Sequence, residues 1–437
     1  MASVIKIYAL FLGSALLMFG GGLQGLLLSV RGAQEGFSLF SLGLIGTGWS
    51  VGFVAGSICV PLVVRKVGHI RAFSVMAAIG TVTILLNLLM INDVSWILLR
   101  ALSGFCFAGA AMIVESWLNE VADNRSRGTI FSVYVTINMA SSTLGQVAMS
   151  ITGTAGYVPF VLGAISFICA VLPTALTSSP QPRPLSSARI DLRLLYQTSP
   201  VAAIAAFSVG MANGAFGTLA PVYGYAQGLD ASGIALLFAV AAVLGAAAQI
   251  PFGRLSDRID RRLVMIGLSS FAALVGLATV LINPGPNWMM FALFAAYGFA
   301  ANPIYAVAVA HANDFAKDGD FAKIAGGMLL ILGLGLAVGP AVASLIMGAW
   351  SPVGLFTVTA TFHAALAVAA ILRMRIRASV DASERTPFQP MGDRQATPEA
   401  IVLDPRADLD GPEMGHAEAP VPEELRTASE ETPYVQD

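Results

Sequence analysis

Apolar runs of about twenty residues, joined by short polar connections, decide what this chain can fold into. A helix needs about 20 residues to cross a hydrocarbon core of about 30 Å. Twelve such runs can be laid out: 6–28, 42–64, 72–91, 96–118, 129–150, 158–176, 200–222, 232–252, 263–283, 288–310, 323–347 and 353–372. Lipid offers no partner to an exposed backbone amide, so spans of this length must be helices. The predicted class is therefore an all-α integral membrane protein with twelve transmembrane helices. Only 11% of the side chains are charged, against about 25% in soluble domains. That excludes an ordinary soluble enzyme or nucleic-acid-binding protein.

The charges that remain are placed unevenly. Gly253 to Arg262 carries Arg254, Arg258, Arg261 and Arg262 with Asp257 and Asp260. A charge at mid-membrane costs at least about 2.5–3.5 kcal/mol, so this stretch must lie at a water interface. Further basic connections hold Arg65, Lys66 and Arg71, then Asn124-Arg-Ser-Arg127, then Arg183, Arg189 and Arg193, then Lys317. They follow every second span. The intervening connections are nearly free of basic residues, with Arg31 the exception. Short basic loops stay in the cytoplasm, so both termini are expected there, in a cytoplasmic (inner) membrane crossed many times.

The longest internal connection, 177–199, contains Pro180, Pro182 and Pro184. It divides the chain into an N-terminal six-helix half (1–176), a cytoplasmic linker (177–199) and a C-terminal six-helix half (200–377). The halves look repeated. Gly104 matches Gly298 at an offset of 194, as do Asn119 and Asn313, Glu120 and Asp314, and Gly145 and Gly339. Pro61 to Arg71 is a degraded copy of the 253–262 stretch, with Pro61 for the first Gly and Arg65 for the Asp.

Gly253-Arg-Leu-Ser-Asp257-Arg-Ile-Asp-Arg-Arg262 resembles the Gly-x-Leu-x-Asp-Arg-x-Gly-Arg-Arg signature of the major facilitator superfamily, with Asp260 in place of the second Gly. Arg100-Ala-Leu-Ser-Gly104 and the two six-span halves resemble that superfamily too. Glu115 to Glu120 with Arg125 to Gly128, and His311 to Asp314 with Gly326-Gly327 and Gly339-Pro340, are similar to its bacterial YcaD-like branch. The resemblance covers about residues 6–372. It implies two halves rocking about a central site, with spans one, four, seven and ten lining the cavity. It also implies a gating role for Gly253, Asp257, Arg258 and Arg261, with Asp257 bracing one half against the start of span five near Gly128 and Thr129. A loop-internal ion pair of Asp257 with Arg258 or Arg261 is the alternative. Span five has Gly145-Gln146 where many drug–proton antiporters have Gly-Pro, which argues against drug export as a specific reading.

Polar side chains in lipid-length helices are costly and usually face protein or water. Gln24, Arg100, Glu115, Asn138, Asn213, Asn302 and Tyr305 are the substrate or coupling candidates, with Gln146 and Gln249 beside them. Each has a plainer alternative in an interhelical hydrogen bond that serves packing. Arg100 either snorkels to the interface or faces the cavity. Glu115 either couples protons or gates, bonded to a neighbouring helix or to Arg125 or Arg127. Trp49, Trp117, Tyr134 and Tyr297 either stack a ligand or anchor and pack.

Residues 378–437 carry 14 acidic and 4 basic side chains. With few apolar runs they are expected to be a disordered acidic cytoplasmic tail. Cys59, Cys106 and Cys169 lie in apolar runs, which argues against a disulfide framework. The first run lacks a convincing cleavage site and reads as a retained span. No phosphate loop, zinc spacing or nucleophile elbow is present, so neither an enzyme nor a metal or other cofactor is expected. The expectation is a monomeric secondary active transporter, symport or antiport, moving a small organic solute by alternating access, with protons as the coupling ion. Rivals are a drug or metabolite exporter of the same fold and a non-transporting sensor signalling through its tail.

Overall fold

The computed structural model describes residues 2–122, 126–175, 190–317, 320–381, 385–386, 388–390 and 397–403. The described residues fold into fifteen helices: α1 (Ala2–Gln34), α2 (Leu39–Val67), α3 (His69–Leu89), α4 (Asp93–Val121), α5 (Arg127–Thr152), α6 (Val158–Cys169), α7 (Val171–Ala175), α8 (Leu192–Thr198), α9 (Pro200–Ala226), α10 (Ala231–Arg258), α11 (Arg261–Ile282), α12 (Trp288–Asp314), α13 (Phe321–Ala349), α14 (Gly354–Met374) and α15 (Pro398–Leu403). Ten of them, α1 to α4 and α9 to α14, are long and apolar enough to cross a membrane. Two further crossings come from α5, equally long but more polar, and from α6 continued by α7.

Side-chain caps set several boundaries. Asn92 accepts from Ser95 N at the start of α4, and Asp230 accepts from Gly233 N at the start of α10. Each thus satisfies an amide that the helix leaves unpaired. Two boundaries differ from the sequence reading. The sixth span breaks at Ala170, because the Pro173 ring has no room for the carbonyl four residues earlier. The motif stretch, read as a short loop over 253–262, is mostly helical, since α10 runs on through Arg258 and only Ile259 and Asp260 separate it from α11. Within 177–199, residues 190–199 are described. They contain α8, whose buried Leu195 lies against Gly327 of α13.

The two halves pack by the same rule. In the first, α1 lies on α5, α2 on α4 and α3 on α6; in the second, α9 lies on α13, α10 on α12 and α11 on α14. The matched glycines occupy equivalent contacts. Gly104 of α4 abuts the Trp49 carbonyl of α2, and Gly298 of α12 abuts the Ala241 carbonyl of α10. Gly145 of α5 abuts the Phe19 carbonyl of α1, and Gly339 of α13 abuts the Met211 carbonyl of α9. At these four places the neighbouring backbone occupies the space a Cβ would need. Close approach of this kind is how helices associate in lipid, where no hydrophobic gain separates protein from solvent.

The halves meet through α2 against α13 and α5 against α10. These contacts close the end remote from the basic connections. Thr47 donates to the Ala337 carbonyl at 2.6 Å, Ser50 to the Leu336 carbonyl at 3.2 Å, and Ser232 to the Ser150 carbonyl at 3.3 Å. At the basic end, α15 sits against α4 and α5 of one half and α13 of the other. Disorder does not describe this part of the tail. The Phe388 ring sits beside Gly253, and the Asn119 side chain donates to the Glu399 carbonyl at 3.2 Å. A polar tail can be ordered in this way because the vestibule supplies its hydrogen-bond partners. Residues 404–437 lie outside the described residues.

Candidate functional site

Midway between the halves lies a cavity lined by α1, α2, α4 and α5 of the first half and α9, α10 and α13 of the second. Its empty space, open mouth included, is about 860 Å³. Arg100, Asn213 and Gln146 give its walls polar character, and Trp49, Phe107 and Phe238 give them flat apolar faces. Small residues, Gly21, Gly22, Gly25 and Gly46 among them, bring backbone to the surface.

Arg100 dominates this site. Its residue exposure is 8%, so it does not snorkel. Its NH1 donates to Gln24 Oε1 at 2.9 Å, and Ser103 Oγ donates to the same oxygen at 3.0 Å. The guanidinium lies over the Trp49 ring, 5.6 Å from its centroid. A cation there gains from the ring quadrupole. No carboxylate among the described residues pairs with Arg100. A buried charge without a counter-charge carries a penalty of several kcal/mol, roughly, so its retention points to a task.

A second cluster stands nearer the basic end. Glu115 of α4 has 1% exposure and accepts from Tyr134 Oη of α5 at 2.6 Å. The Thr397 hydroxyl, just before α15, donates to its other oxygen. Ser14 of α1 donates to Asn138 Oδ1 at 2.7 Å, close by Tyr134. Among the described residues Glu115 has no cationic partner; Arg125 lies outside them.

The third cluster joins α10, α11 and α12 at the basic end. Arg261 forks onto Asp314, Nε to Oδ2 at 2.7 Å and NH2 to Oδ1 at 3.2 Å, and sends NH1 to Asp257 Oδ1 at 3.0 Å. Asp257 also accepts from the Phe388 amide at 3.1 Å. Among the described residues the partners of Asp257 are thus Arg261 and the tail, and the start of α5 is not one of them. The predicted brace is absent in this conformation. Its absence has a physical reason, for the halves stand far enough apart at this end to admit α15. Arg258 is exposed. Burial alone would raise the Asp260 carboxyl, but hydrogen bonds and charge from Arg262 outweigh it and hold it below the ordinary aspartate range.

The sequence profile of the Major Facilitator Superfamily matches residues 10–245 and 202–409. The chain belongs to that superfamily. Among curated superfamily relatives, it is 25% identical to the uncharacterized MFS-type transporter YcaD of Escherichia fergusonii over 333 residues, 75% of this chain and 85% of that one. It is 26% identical to YcaD of Shigella flexneri over the same share of each. Two solved structures share the fold. The nucleoside transporter NupG gives a TM-score of 0.69 at 14% identity, covering 86% of this chain and 100% of that one. A bacterial homologue of the human lysosomal transporter Spinster, crystallised inward-facing and occupied, gives 0.70 at 15%, covering 88% and 98%. The chain is therefore a membrane transporter of the major facilitator fold, and transport rather than catalysis is the activity its geometry has to explain.

Of the predicted site residues in this superfamily member, Arg100 and Asn213 line the cavity and Gln24 holds Arg100. Glu115 and Asn138 belong to the cluster nearer the basic end. Asn302 and Tyr305 do not line the cavity. The Asn302 amide fills the space beside Gly245 of α10, because position 302 falls one turn after Gly298, on the face of α12 that packs against α10. Tyr305 is buried within the bundle. Of the aromatics, Trp49 faces the cavity. Tyr297 stacks on Phe216 at 4.5 Å and bonds His363 at 3.2 Å, while Trp117 packs near His69 and Phe73. Sequence reasoning gave no role to Asp314. Its offset match to Glu120 was the signal that it sits at a helix end of structural consequence.

Proposed function

We propose that this protein is a secondary active transporter that moves a small organic solute across the bacterial cytoplasmic membrane by alternating access, with protons as the coupling ion. The observation that carries the reading is the cavity at mid-depth, shared by both halves and sealed at one end by α2–α13 and α5–α10 contacts. A site reached from one side at a time is what alternating access requires. Basic residues at the unsealed end support a cytoplasmic assignment for that end and for both termini.

Glu115 is the proposed coupling group. It is a buried carboxylate without a cationic partner among the described residues, held by Tyr134 of α5 and by Thr397 just before α15. Gly253, Asp257, Arg258 and Arg261 form the proposed gate. Asp257 would exchange its present partners, Arg261 and the Phe388 amide, for the α5 N-terminus when the vestibule closes, where a carboxylate gains from free amides and the helix dipole.

The test is purified full-length protein in proteoliposomes with an imposed proton gradient, screened for movement of untargeted solute mixtures. Gradient-dependent accumulation of at least one small solute is expected. If no solute moves faster than in empty liposomes, with or without a gradient, the transporter reading fails.

A further inference from the structure

The cavity that the proposed transport reading requires has a charge of one sign. Among the described residues that line it, Arg100 alone is ionised, and no Asp, Glu or Lys joins it. Of the five N–H donors of a guanidinium, one is engaged by protein, through NH1 to Gln24 Oε1. Gln24 cannot neutralise the charge. Its Oε1 already takes Arg100 and Ser103, which fixes the amide orientation, and its Nε2 is buried without an acceptor. Donors are therefore in surplus around a fixed positive charge.

The geometry points to a small organic anion as the transported solute: a carboxylate or similar oxyanion on a largely apolar body, its acidic oxygens taken by Arg100. This inference rests on the transporter reading and narrows it. The fork of a guanidinium matches two oxyanion oxygens, and such charge-assisted bonds are among the strongest available to a site. Trp49, its ring centroid 5.6 Å from the guanidinium carbon, offers an apolar face beside it, with Phe107 and Phe238 completing a surface for the body of the ligand. An organic cation would meet an unscreened positive charge here. A neutral solute would leave the guanidinium unpaired at low dielectric, which gives the site no reason to keep it buried.

The experiment uses full-length protein and a panel of small carboxylates of two to ten carbons, each with its matching primary amide and amine. Thermal stabilisation in detergent and counterflow in proteoliposomes are both read. The expected hits are carboxylates, without their amides or amines. Arg100→Gln should lose at least tenfold in apparent affinity for each hit, and Arg100→Lys should keep part of it. Hits among amides or amines, or carboxylate hits indifferent to Arg100→Gln, would overturn the anion assignment while leaving a transporter in place. If no member of the panel binds or moves, although the general solute screen finds other cargo, the anion assignment alone fails. If both screens are blank, the transporter reading fails with it. Should Arg100→Gln not fold, the panel on the unsubstituted protein and the Arg100→Lys variant decide.

Discussion

Arg261 and Asp314 are joined by a two-bonded fork at the end of the molecule that carries the basic connections, with the two side chains 1% and 3% exposed. The pair ties the start of α11 to the end of α12, and the tail is drawn in with it, since Thr386 hydroxyl donates to Asp314 Oδ1 at 2.9 Å. Arg261 also holds Asp257, but that side chain is 37% exposed. One arginine thus serves a buried partner and a wet one.

The two partners should respond differently to substitution. Asp314→Asn removes half of a buried pair, a change on the order of 3–5 kcal/mol. Asp257→Asn removes a contact that is partly exposed on the Asp257 side and should cost less. Thermal unfolding in detergent should therefore show a large drop for Asp314→Asn and a small one for Asp257→Asn. Asp257→Asn should instead shift the balance of inward- and outward-facing states, read by cysteine accessibility. Equal melting temperatures for the two variants would remove the distinction between a buried strut and an exposed switch.

The repeat predicts paired effects. A Cβ at Gly104 would meet the Trp49 backbone, and one at Gly298 would meet the Ala241 backbone. Neither neighbour is the far end of a flexible side chain. Gly104→Ala and Gly298→Ala should each destabilise by about 1–3 kcal/mol through overpacking. Gly267 has nothing within 4 Å of its would-be Cβ, so Gly267→Ala should not lower the melting temperature. A drop at Gly267 as large as at the other two would mean that helix close approach is not the cause.

Much of this architecture was legible in the chain because lipid reads hydropathy directly. The twelve crossings, the change of halves after span six and the glycine offset each follow from constraints that act along the sequence. The cavity was legible in part. Arg100 and Asn213 stood out as polar residues at membrane depth, yet so did Asn302, and what separates them is which face of the helix meets a neighbour. Hydropathy is blind to that when a helix is apolar all round. The docking of the tail was not legible. Thr397 and Phe388 lie in a segment whose composition argues for disorder, and their order depends on acceptors and donors supplied by distant helices.

The docked tail leads to a prediction about access. Removing residues 381–437 deletes no span, so membrane insertion and solute flux should persist. Asn119 donates to the Glu399 carbonyl, so a cysteine placed at 119 should be shielded by the tail. In inverted vesicles of an otherwise cysteine-free protein, its labelling by an impermeant maleimide should rise severalfold on truncation. An unchanged rate would show that the tail does not cover this part of the vestibule in the membrane, and abolished flux with normal insertion would give the tail a role in transport itself.

Glu115 and Tyr134 provide the test of coupling. The carboxylate lies in α4 and the phenol in α5, both in the first half, and a 2.6 Å bond joins them near the basic end. Glu115 is fifteen residues from Arg100, about 22 Å along the helix, so it acts on the cavity through the α4 and α5 frame and not by touching the solute. Glu115→Gln keeps the shape and the ability to accept from Tyr134 but cannot load and release a proton. It should abolish accumulation driven by a proton gradient, while exchange of solute down its own gradient persists at a comparable rate. Tyr134→Phe should leave accumulation in place but slow it, because the carboxyl remains and loses only its orienting bond. Gradient-driven accumulation that is as strong in Glu115→Gln as in the unsubstituted protein would show that this carboxylate gates the vestibule and that coupling lies elsewhere.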